Sequence, residues 1–294
     1  MNILVVGASG FIGGIVARLF KSRGYSVVGT YLHDSNAAEE LRRMDICDRL
    51  QTLKIVQEVS PEIIIHAAGM TNVDLCEVER DRCFNVNVLG TKHVVDAAKT
   101  LGARLVFFST DYIFDGAAGP YHEHDPPNPI NFYGRCKLEA ENRIRKGIHD
   151  YLIARLTVVY GWERQGKNFV MRLIANLRKG EKMKVPVDQI GTPTYANNIA
   201  EAILDLVQKR QTGIFNIAGP RLMDRYSFAK LAAETFGLPK ELLIPTTTAD
   251  IGQTAARPLN AGMKINKLRS VSCVRMLPPT EGLRLMRDSK EGLV

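Results

Sequence analysis

The sequence lacks the features of secreted proteins, of proteins stabilised by a bound metal and of membrane-spanning proteins. Its five cysteines are odd in number and include no C-x-x-C pair, which argues against a disulfide framework or a zinc site. No stretch approaches the roughly 20 apolar residues that a membrane-spanning helix needs, and Met1-Asn2-Ile3 places no basic segment ahead of a long apolar run. We therefore expect a cytoplasmic protein with reduced thiols and no membrane partner.

A basic stripe suited to nucleic acid is also missing. Lysine and arginine outnumber aspartate and glutamate by 39 to 31, but acids lie between most of the basic residues and no aromatic residues alternate with them. We predict no nucleic-acid partner, because anionic nucleotide ligands or a solvated surface account for the excess of positive charge. With 45% hydrophobic residues, the chain can bury one large α/β domain and a smaller part.

A glycine turn near the start is the strongest motif that is present. An apolar run, Asn2–Val6, leads through Gly7-x-x-Gly10-x-x-Gly13 into a segment with helical apolar spacing, and a second apolar run follows at Ser26–Tyr31. This strand–turn–helix–strand pattern indicates a Rossmann-type, doubly wound parallel sheet whose helix N-terminus binds a diphosphate, although a glycine triplet alone also occurs in ordinary turns. The predicted cofactor-binding residues of the turn are Gly7, Ser9, Gly10, Phe11, Ile12 and Gly13.

The residues after the second strand bear on the choice of cofactor. NAD-selective folds place a carboxylate there to bind the ribose 2′-hydroxyl, whereas this chain has no acid before Asp34. His33, Arg42 and Arg43 are positive candidates to approach a 2′-phosphate, unless the arginines are only solvated surface charge. The pattern favours NADP(H) over NAD(H).

Small residues follow the next apolar strand. Glu62–His66 runs directly into Ala67, Ala68 and Gly69, and Thr71 comes next. Small residues at the carboxyl end of a parallel strand leave room for a ligand in the crevice there. The Thr71 hydroxyl is either a cofactor contact or an ordinary turn residue.

A further strand and the helix after it carry hydroxyl and amino groups suited to proton transfer. Arg104–Phe108 ends at Ser109-Thr110-Asp111, and Tyr133 and Lys137 are four residues apart, so on a helix they share one face. A nearby ammonium group favours the phenolate and lowers the pKa of tyrosine, which makes the phenol a usable acid or base. Asn87, inside another helical pattern, either faces solvent or has a function.

The segment His122-Glu123-His124-Asp125 contains residue types that bind metals. Consecutive potential ligands without a supporting cluster are more typical of a polar loop, and this segment lies in a glycine- and proline-rich stretch. We therefore predict no metal there.

Longer motifs identify a family. The sequence FSTDYIFDG at 108–116, the stretch 120–137 that ends in Tyr-Gly-x-x-Lys, Gln-x-Gly-x-Pro-Thr at 189–194 and Arg-Pro-x-Asn at 257–260 resemble the dTDP-4-dehydrorhamnose reductase family. That family belongs to the extended short-chain dehydrogenase/reductase superfamily. The resemblance covers nearly the whole chain.

The resemblance implies a reaction and a set of roles. The reaction is NAD(P)H-dependent reduction of the 4-keto group of a nucleotide sugar, from dTDP-4-dehydro-L-rhamnose to dTDP-L-rhamnose. Thr110 would bond the sugar carbonyl, Tyr133 would donate the proton, Lys137 would hold the nicotinamide ribose, and Asn87 would support Lys137 through water. Further cofactor contacts implied are Asp45, Ile46, Ala67, Ala68, Gly69 and Thr71.

Two departures from the family pattern leave alternatives open. Val158 stands where the reductases often have tryptophan, and Gly13–Arg18 offers no carboxylate for the Mg²⁺ that some members hold at a dimer contact. We expect no such metal and list a homodimer as possible. The alternative functions are an NADP-binding regulatory subunit similar to the methionine adenosyltransferase β subunit, and a reductase or epimerase of another nucleotide sugar.

The motifs also divide the chain. Residues 1–160 are predicted to form the NAD(P)-binding Rossmann domain, to which 187–217 return. Residues 161–186 and 218–294, which show no strand–helix alternation of their own, are predicted to form a small substrate-binding part over the crevice.

Overall fold

A computed structural model describes residues 1–33 and 41–289 of the chain. The strands are β1 (Asn2–Val6), β2 (Ser26–Tyr31), β3 (Arg42–Arg43), β4 (Ile63–His66), β5 (Arg104–Thr110), β6 (Tyr151–Leu156), β7 (Val159–Tyr160), β8 (Met183–Pro186), β9 (Ile190–Gly191), β10 (Thr194–Tyr195), β11 (Gly213–Ile217), β12 (Met223–Asp224) and β13 (Leu243–Thr246). The α-helices are α1 (Phe11–Ser22), α2 (Arg49–Val59), α3 (Val73–Val78), α4 (Arg80–Phe84), α5 (Thr91–Leu101), α6 (Phe132–Gly147), α7 (Phe169–Arg178), α8 (Ala196–Gln208), α9 (Arg225–Thr235), α10 (Thr248–Ile251), α11 (Asn266–Val271) and α12 (Pro279–Asp288).

A seven-stranded parallel sheet in the order β3-β2-β1-β4-β5-β6-β11 forms the centre of the molecule. The chain moves outward from β1 through β2 to β3, and then from β4 through β5 to β6 on the other side. Because the direction reverses between β1 and β4, the loops at their carboxyl ends diverge and leave a crevice, which is where doubly wound folds bind ligands. The predicted fold class is confirmed.

Strand β1 shows why a parallel sheet forms. Its residues alternate between faces: Ile3 and Val5 pack in the core under α1 and α8, whereas Leu4 and Val6 pack in the core under α2, α5 and α6. All four are fully buried. A run of branched apolar residues buried on both faces is typical of a central parallel strand covered by helices.

A third core lies in the later part of the chain. Tyr160 and Phe228 are fully buried there, where α9 packs against α7 and α12. Trp162, the single tryptophan, donates from Nε1 to the carbonyl oxygen of Met286 at 2.6 Å and so belongs to this core. Within the described ranges, no helix combines the length and the apolar character needed to span a bilayer.

A buried ion pair joins α6 to the sheet. Both nitrogens Nε and Nη2 of Arg155 donate to the carboxylate of Glu141, at 3.1 and 2.8 Å, and Nη1 donates to the carbonyl oxygen of Glu123. The two side chains are 3% and 1% exposed. Removing one member of such a pair leaves the other charge buried and unpaired. This lowers the free energy of unfolding far more than removing both members does.

We expect Arg155→Met to lower the free energy of unfolding by about 3–5 kcal/mol, because the Glu141 carboxylate stays buried without its partner. The double variant Arg155→Met/Glu141→Met should recover most of that loss. Urea unfolding of the wild type and the variants at neutral pH measures both effects. A single variant as stable as the double one would contradict this account.

Candidate active site

The glycine turn after β1 has the backbone geometry of a diphosphate site. Gly7 has a φ of +86°, and a Cβ atom there would lie 2.7 Å from the backbone nitrogen of Ala68. A Cβ on Gly13 would clash with the carbonyl oxygen of Gly7, so both glycines are required for α1 to approach the strands this closely. Gly10 begins α1 without a side-chain cap, and no acidic residue occupies the first turn.

An anion therefore meets uncapped N–H groups at the N-terminus of α1, which favours negative charge. This turn fits the diphosphate of a dinucleotide. The neighbouring predicted residues lie around it: Ser9 is joined through its backbone to the carbonyl oxygen of Thr30, and Phe11 and Ile12 are partly buried against the core.

The small residues after β4 border the same crevice. The side chain of Ala67 lies against α1, where a Cβ on Gly13 would meet the Ala67 Cβ at 3.2 Å. Gly69 lies against Asn87, since a Cβ at Gly69 would be 2.8 Å from the Asn87 Oδ1 atom. Thr71 is exposed beyond them.

Asp45 and Ile46 lie after β3, on the side of the crevice where α5 begins. The Asp45 carboxylate accepts from the backbone nitrogen of Cys47 at 2.9 Å, and the carbonyl oxygen of Ile46 contacts Nδ1 of His93 at 2.8 Å. The Ile46 side chain packs against Gly90, at which a Cβ would approach it to 2.7 Å. Both predicted residues are thus fixed in position by neighbouring elements.

Three candidates for the ribose 2′-position have different surroundings. His33 and Arg43 are exposed, and Arg42 pairs with Glu58 at 3.0 Å. Arg43 lies in register with Tyr31, the last residue of β2, which is the strand end where this fold places the adenosine ribose. Asp34 lies outside the described residues.

Asn87 is buried within a π-helical turn, Asn85–Gly90, and is not directed to solvent. Its Oδ1 accepts from the backbone nitrogen of Met70 at 3.0 Å, and its Nδ2 donates to the Met70 carbonyl oxygen at 2.9 Å and to the Cys83 sulfur at 3.3 Å. The side chain therefore ties the loop after β4 to the π-helical turn. Such turns are frequent at functional sites.

Thr110 is the last residue of β5 and its hydroxyl is already ordered. It donates to Asp111 Oδ1 at 3.0 Å and accepts from the backbone nitrogen of Tyr112 at 3.2 Å. The other carboxylate oxygen of Asp111 accepts from the Thr157 hydroxyl at 2.7 Å. Burial raises the pKa of Asp111 to about 6, although both hydroxyl contacts oppose that rise. Asp111 and Thr157 were not predicted as site residues.

Tyr133 and Lys137 lie one turn apart on α6, as their spacing predicts, and the structure shows that both are buried. The helix is held close to Thr110, because Asn131 Oδ1 caps it at the nitrogen of Gly134 (2.8 Å) and a Cβ on Gly134 would clash with the Tyr112 carbonyl oxygen.

The electrostatics of this pair correct one expectation. Burial raises the pKa of Tyr133 above its ordinary value and the charge of Asp111 adds to the rise, while a hydrogen bond with the Thr110 hydroxyl opposes it. The expected lowering of the Tyr133 pKa by Lys137 is therefore wrong. Desolvation is the largest effect, and it holds the phenol further from ionisation than an ordinary tyrosine, which is itself protonated at neutral pH.

Lys137 is a buried charged group, and the only described contact of its ammonium is with an aromatic ring. Its Nζ lies 3.9 Å from the centre of the Phe107 ring, and within the described part of the chain it has no hydrogen-bond acceptor. Burial lowers the pKa of Lys137 to about 7, against a smaller opposing effect of the Glu141 carboxylate. An ammonium group held beside the crevice without an acceptor fits a ligand hydroxyl, such as that of a ribose.

The segment 122–125 does not form a cation site in the described chain. The Glu123 carboxylate accepts from the backbone nitrogen of Asn216 at 3.0 Å, and the Asp125 carboxylate accepts from that of His122 at 2.7 Å. Among residues 1–33 and 41–289, no group of three histidine, cysteine, aspartate or glutamate side chains has the arrangement of a metal site.

The lowered pKa of Lys137 predicts a pH effect on stability. Between about pH 7 and 10.5 the unfolded chain holds a proton at this position and the folded chain does not, so stability rises with pH over that window. Lys137→Met removes the buried charge. The free energy of unfolding of this variant should exceed that of the wild type by most below pH 7, and the difference should shrink by up to about 1.4 kcal/mol per pH unit above it. Urea unfolding from pH 6 to 10 measures the difference, and a constant difference would contradict this assignment.

Comparisons with known proteins agree with the fold. The spore coat polysaccharide biosynthesis protein SpsK of Bacillus subtilis is 33% identical over 258 residues, which make up 87% of each chain. Methionine adenosyltransferase 2 subunit beta of Xenopus tropicalis is 29% identical over 96% of this chain and 85% of its own. The crystal structure of dTDP-4-dehydrorhamnose reductase from Bacillus anthracis in complex with NADP has a TM-score of 0.89 at 31% identity, covering 97% of this chain and 98% of that one.

The model of the RmlD substrate binding domain family matches residues 1–290. This match confirms the resemblance found in the motifs at 108–116 and 120–137. The chain therefore belongs to the RmlD substrate binding domain family of dTDP-4-dehydrorhamnose reductase-like oxidoreductases, within the extended short-chain dehydrogenase/reductase superfamily.

Proposed function

We propose that the protein reduces the 4-keto group of a nucleotide sugar with NADPH, and that the substrate is dTDP-4-dehydro-L-rhamnose. The observation that carries the proposal is the meeting of Thr110, Tyr133 and Lys137 near the carboxyl end of β5, at the same edge of the sheet as the glycine turn. The structural relative from Bacillus anthracis, bound to NADP, supports both the cofactor and the substrate class.

Each residue has a defined part in this proposal. The cofactor, when bound, supplies the hydride. The Tyr133 phenol is protonated at neutral pH, as that of an ordinary tyrosine is, so it can give its proton to the oxygen of the sugar as the carbonyl becomes a strongly basic alkoxide. Asp111 orders the Thr110 hydroxyl by accepting its single proton, and on substrate binding that proton turns from Asp111 to the same sugar oxygen, while the ammonium of Lys137 binds the nicotinamide ribose.

Asn87 acts at one remove from the reacting atoms. Because its amide holds both the nitrogen and the oxygen of Met70, it fixes the loop that follows β4. We assign it a supporting role for Lys137 through a water molecule. The residues proposed to contact the cofactor are Gly7, Ser9, Gly10, Phe11, Ile12, Gly13, Asp45, Ile46, Ala67, Ala68, Gly69, Thr71, Tyr133 and Lys137.

The later segments are proposed to bind the sugar nucleotide. We assign residues 1–160 and 187–217 to the cofactor domain and residues 161–186 and 218–294 to the substrate-binding part. Support comes from β11 extending the sheet beside β6, and from α9 reaching the residue after Thr110 across a shared pocket. The cytoplasmic location and the homodimer stay predictions.

A regulatory role is the second candidate. The subunit beta of methionine adenosyltransferase 2 from Xenopus tropicalis covers 96% of this chain at 29% identity, and Val158 departs from the reductase pattern. A binding-only role requires the glycine turn and Lys137, but it does not require a protonated phenol beside a threonine hydroxyl. The presence of both groups favours the reductase.

The reductase is tested by the absorbance of reduced nicotinamide. Purified protein, dTDP-4-dehydro-6-deoxy sugar under epimerising conditions and NADPH should give rapid oxidation. The matched variant Tyr133→Phe should lower kcat by about 10²–10⁴-fold, because the alkoxide loses its proton donor, while the Kd for NADPH stays within about twofold. Equal turnover in the variant would contradict the assigned role.

The alternative has a different signature. A protein that binds NADPH tightly, oxidises it with no keto sugar and copurifies with a larger synthetase is a regulatory subunit. Turnover with another nucleotide sugar, and none with the dTDP sugar, keeps the reaction and changes the substrate.

The preference for NADPH is proposed to depend on Arg43. Arg43 is exposed and lies in β3 beside Tyr31 at the end of β2, and we expect Arg43→Ser to reduce the NADPH-to-NADH ratio of kcat/KM by about tenfold, the value of one charge-assisted contact. Adjacent strand residues point to opposite faces, so Arg42→Ser is the control and should change the ratio little. Parallel rates with both cofactors in the wild type would refute the preference.

A further inference from the structure

Three cysteines form a cluster behind the proposed reaction centre. Cys76 on α3, Cys83 on α4 and Cys136 on α6 are buried and pack in one small core together with Tyr133. Cys136 lies on α6 between Tyr133 and Lys137, so the cluster adjoins the site described above. All three are free thiols. They are nucleophilic side chains that the proposed reaction does not use.

Cys83 is the centre of this cluster. The thiols of Cys136 and Cys76 both hydrogen-bond to its sulfur, and Nδ2 of Asn87 donates to the same sulfur at 3.3 Å. The hydrogen bonds from Cys136 and Cys76 lower the pKa of Cys83 against the effect of burial, and the charge of Lys137 adds to the lowering. Because the thiolate is the reactive form of cysteine, Cys83 is the nucleophile of the three.

The two neighbours of Cys83 differ in their other contacts. The Cys76 thiol has a second acceptor, because its sulfur donates to the Met70 carbonyl oxygen at 3.6 Å. For Cys136, the described residues offer no acceptor other than the Cys83 sulfur. A thiol held next to a reactive cysteine is in position to close a disulfide with it. Cys136 is therefore the neighbour better placed to do so.

The helices that carry Cys76 and Cys83 are short. Helix α3 has six residues and α4 has five, and Val78 at the end of α3 is 70% exposed. Helices of this length have little stability of their own, so this part of the chain opens locally at a smaller free-energy cost than global unfolding. Local opening admits a small, uncharged oxidant to the buried sulfurs.

We propose that Cys83 is a site of oxidation by a small hydroperoxide, such as hydrogen peroxide, and that it then closes a disulfide with Cys136 that weakens cofactor binding. The Cys83 sulfur first attacks one peroxide oxygen. The O–O bond breaks, Cys83 becomes a sulfenic acid, and the leaving hydroxide takes up the proton of the Cys83 thiol to form water.

The second step joins the two cysteines. The Cys136 sulfur attacks the Cys83 sulfur, the S–O bond breaks, and the leaving hydroxide takes the Cys136 proton to form a second water. The two thiols together lose two electrons, and the peroxide gains them.

The disulfide acts on the cofactor site through Asn87 and Lys137. A disulfide sulfur carries no negative charge, so Nδ2 of Asn87 loses the stronger form of one of its two acceptors. Burial lowers the pKa of Lys137, and Glu141, followed by the sulfurs of Cys83 and Cys136, opposes that lowering. Oxidation removes the contribution of the two sulfurs and leaves the ammonium less favourable. The effect on the cofactor rests on the proposed ribose contact of Lys137, whereas the disulfide itself does not.

The test uses the full chain in the background Cys47→Ser/Cys273→Ser, which removes the two exposed thiols. The background protein, Cys83→Ser, Cys76→Ser and the double variant Cys76→Ser/Cys136→Ser are treated with hydrogen peroxide in the folded state. Alkylation, digestion and mass spectrometry then locate the oxidised sulfurs. Urea unfolding of untreated samples checks that each variant folds, and Cys83→Ala takes the place of Cys83→Ser if the buried hydroxyl prevents folding.

We expect the background protein to lose two hydrogen atoms and to give a peptide pair joined through Cys83 and Cys136. Cys76→Ser is the matched control and should form the same disulfide. The double variant should stop at a Cys83 sulfenic acid that dimedone traps, and Cys83→Ser should not react. The inference is overturned by a Cys76–Cys83 disulfide in the background protein, by equally fast oxidation of Cys83→Ser, or by thiols that stay reduced in the folded background protein.

Calorimetric titration of NADPH measures the consequence for the cofactor site. Oxidation of the background protein should raise the Kd for NADPH by about tenfold, because the groups around the ribose contact are displaced, and dithiothreitol should restore it. Peroxide should leave the Kd of Cys83→Ser unchanged. An unchanged Kd in fully disulfide-linked protein would refute the effect on the cofactor.

Failure of the proposed reductase gives a different result. If the reduced protein oxidises no NADPH with keto sugars, but peroxide forms the disulfide and weakens NADPH binding, the thiol site stands and only the reaction is wrong.

Discussion

The close contact between α1 and the strands at the sheet's reversal point is the constraint on which the rest of the structure depends. It exists only because Gly7 and Gly13 carry no Cβ atoms, so that Gly13 in α1 packs on the Gly7 carbonyl group and Ala67, and Gly7 in the turn packs on the backbone of Ala68. That approach brings uncapped N–H groups to the carboxyl edge of β1 and β4. Every other group of the site, from the π-helical turn to α6, is arranged around the crevice that this contact creates.

Helix α6 carries a row of polar side chains that runs from the crevice to the interior. Tyr133, Lys137 and Glu141 follow one another at intervals of four residues and are all buried. Desolvation raises the pKa of the first, the second has no hydrogen-bond acceptor among residues 1–33 and 41–289, and the third is paired with Arg155. The ion pair therefore fixes the deep end of the helix, while the shallow end carries the two residues to which we assign ligand contacts. A preorganised site requires rigid support, which the ion pair gives to the inner end of α6, and polar groups left for the ligand at the outer end.

Local patterns were sufficient to predict the sheet, and they mark the glycine turn and the Tyr133–Lys137 pair of the candidate site. The apolar run before Gly7 and the i,i+4 spacing of Tyr133 and Lys137 are determined by residues that lie close in sequence. The contacts of Asp111 with Thr157, and of Cys83 with Cys136, join residues 46 and more than 50 positions apart. No periodicity encodes such pairs, and the burial that reverses the expected pKa shift of Tyr133 is likewise a tertiary effect.

The polar groups of the site differ in whether they favour an enzyme over a regulatory subunit. Lys137 has no hydrogen-bond acceptor in the described protein, and a bound dinucleotide would supply one whether or not a reaction follows, so this residue fits an enzyme and a regulatory subunit equally. Tyr133 and Thr110 are different, because the ribose contact that we propose for Lys137 does not need a second, protonated donor. A protonated phenol beside an ordered hydroxyl is useful where an oxygen gains negative charge during the reaction. The arrangement of Tyr133 and Thr110, more than the glycine turn, is the physical basis for proposing a reductase.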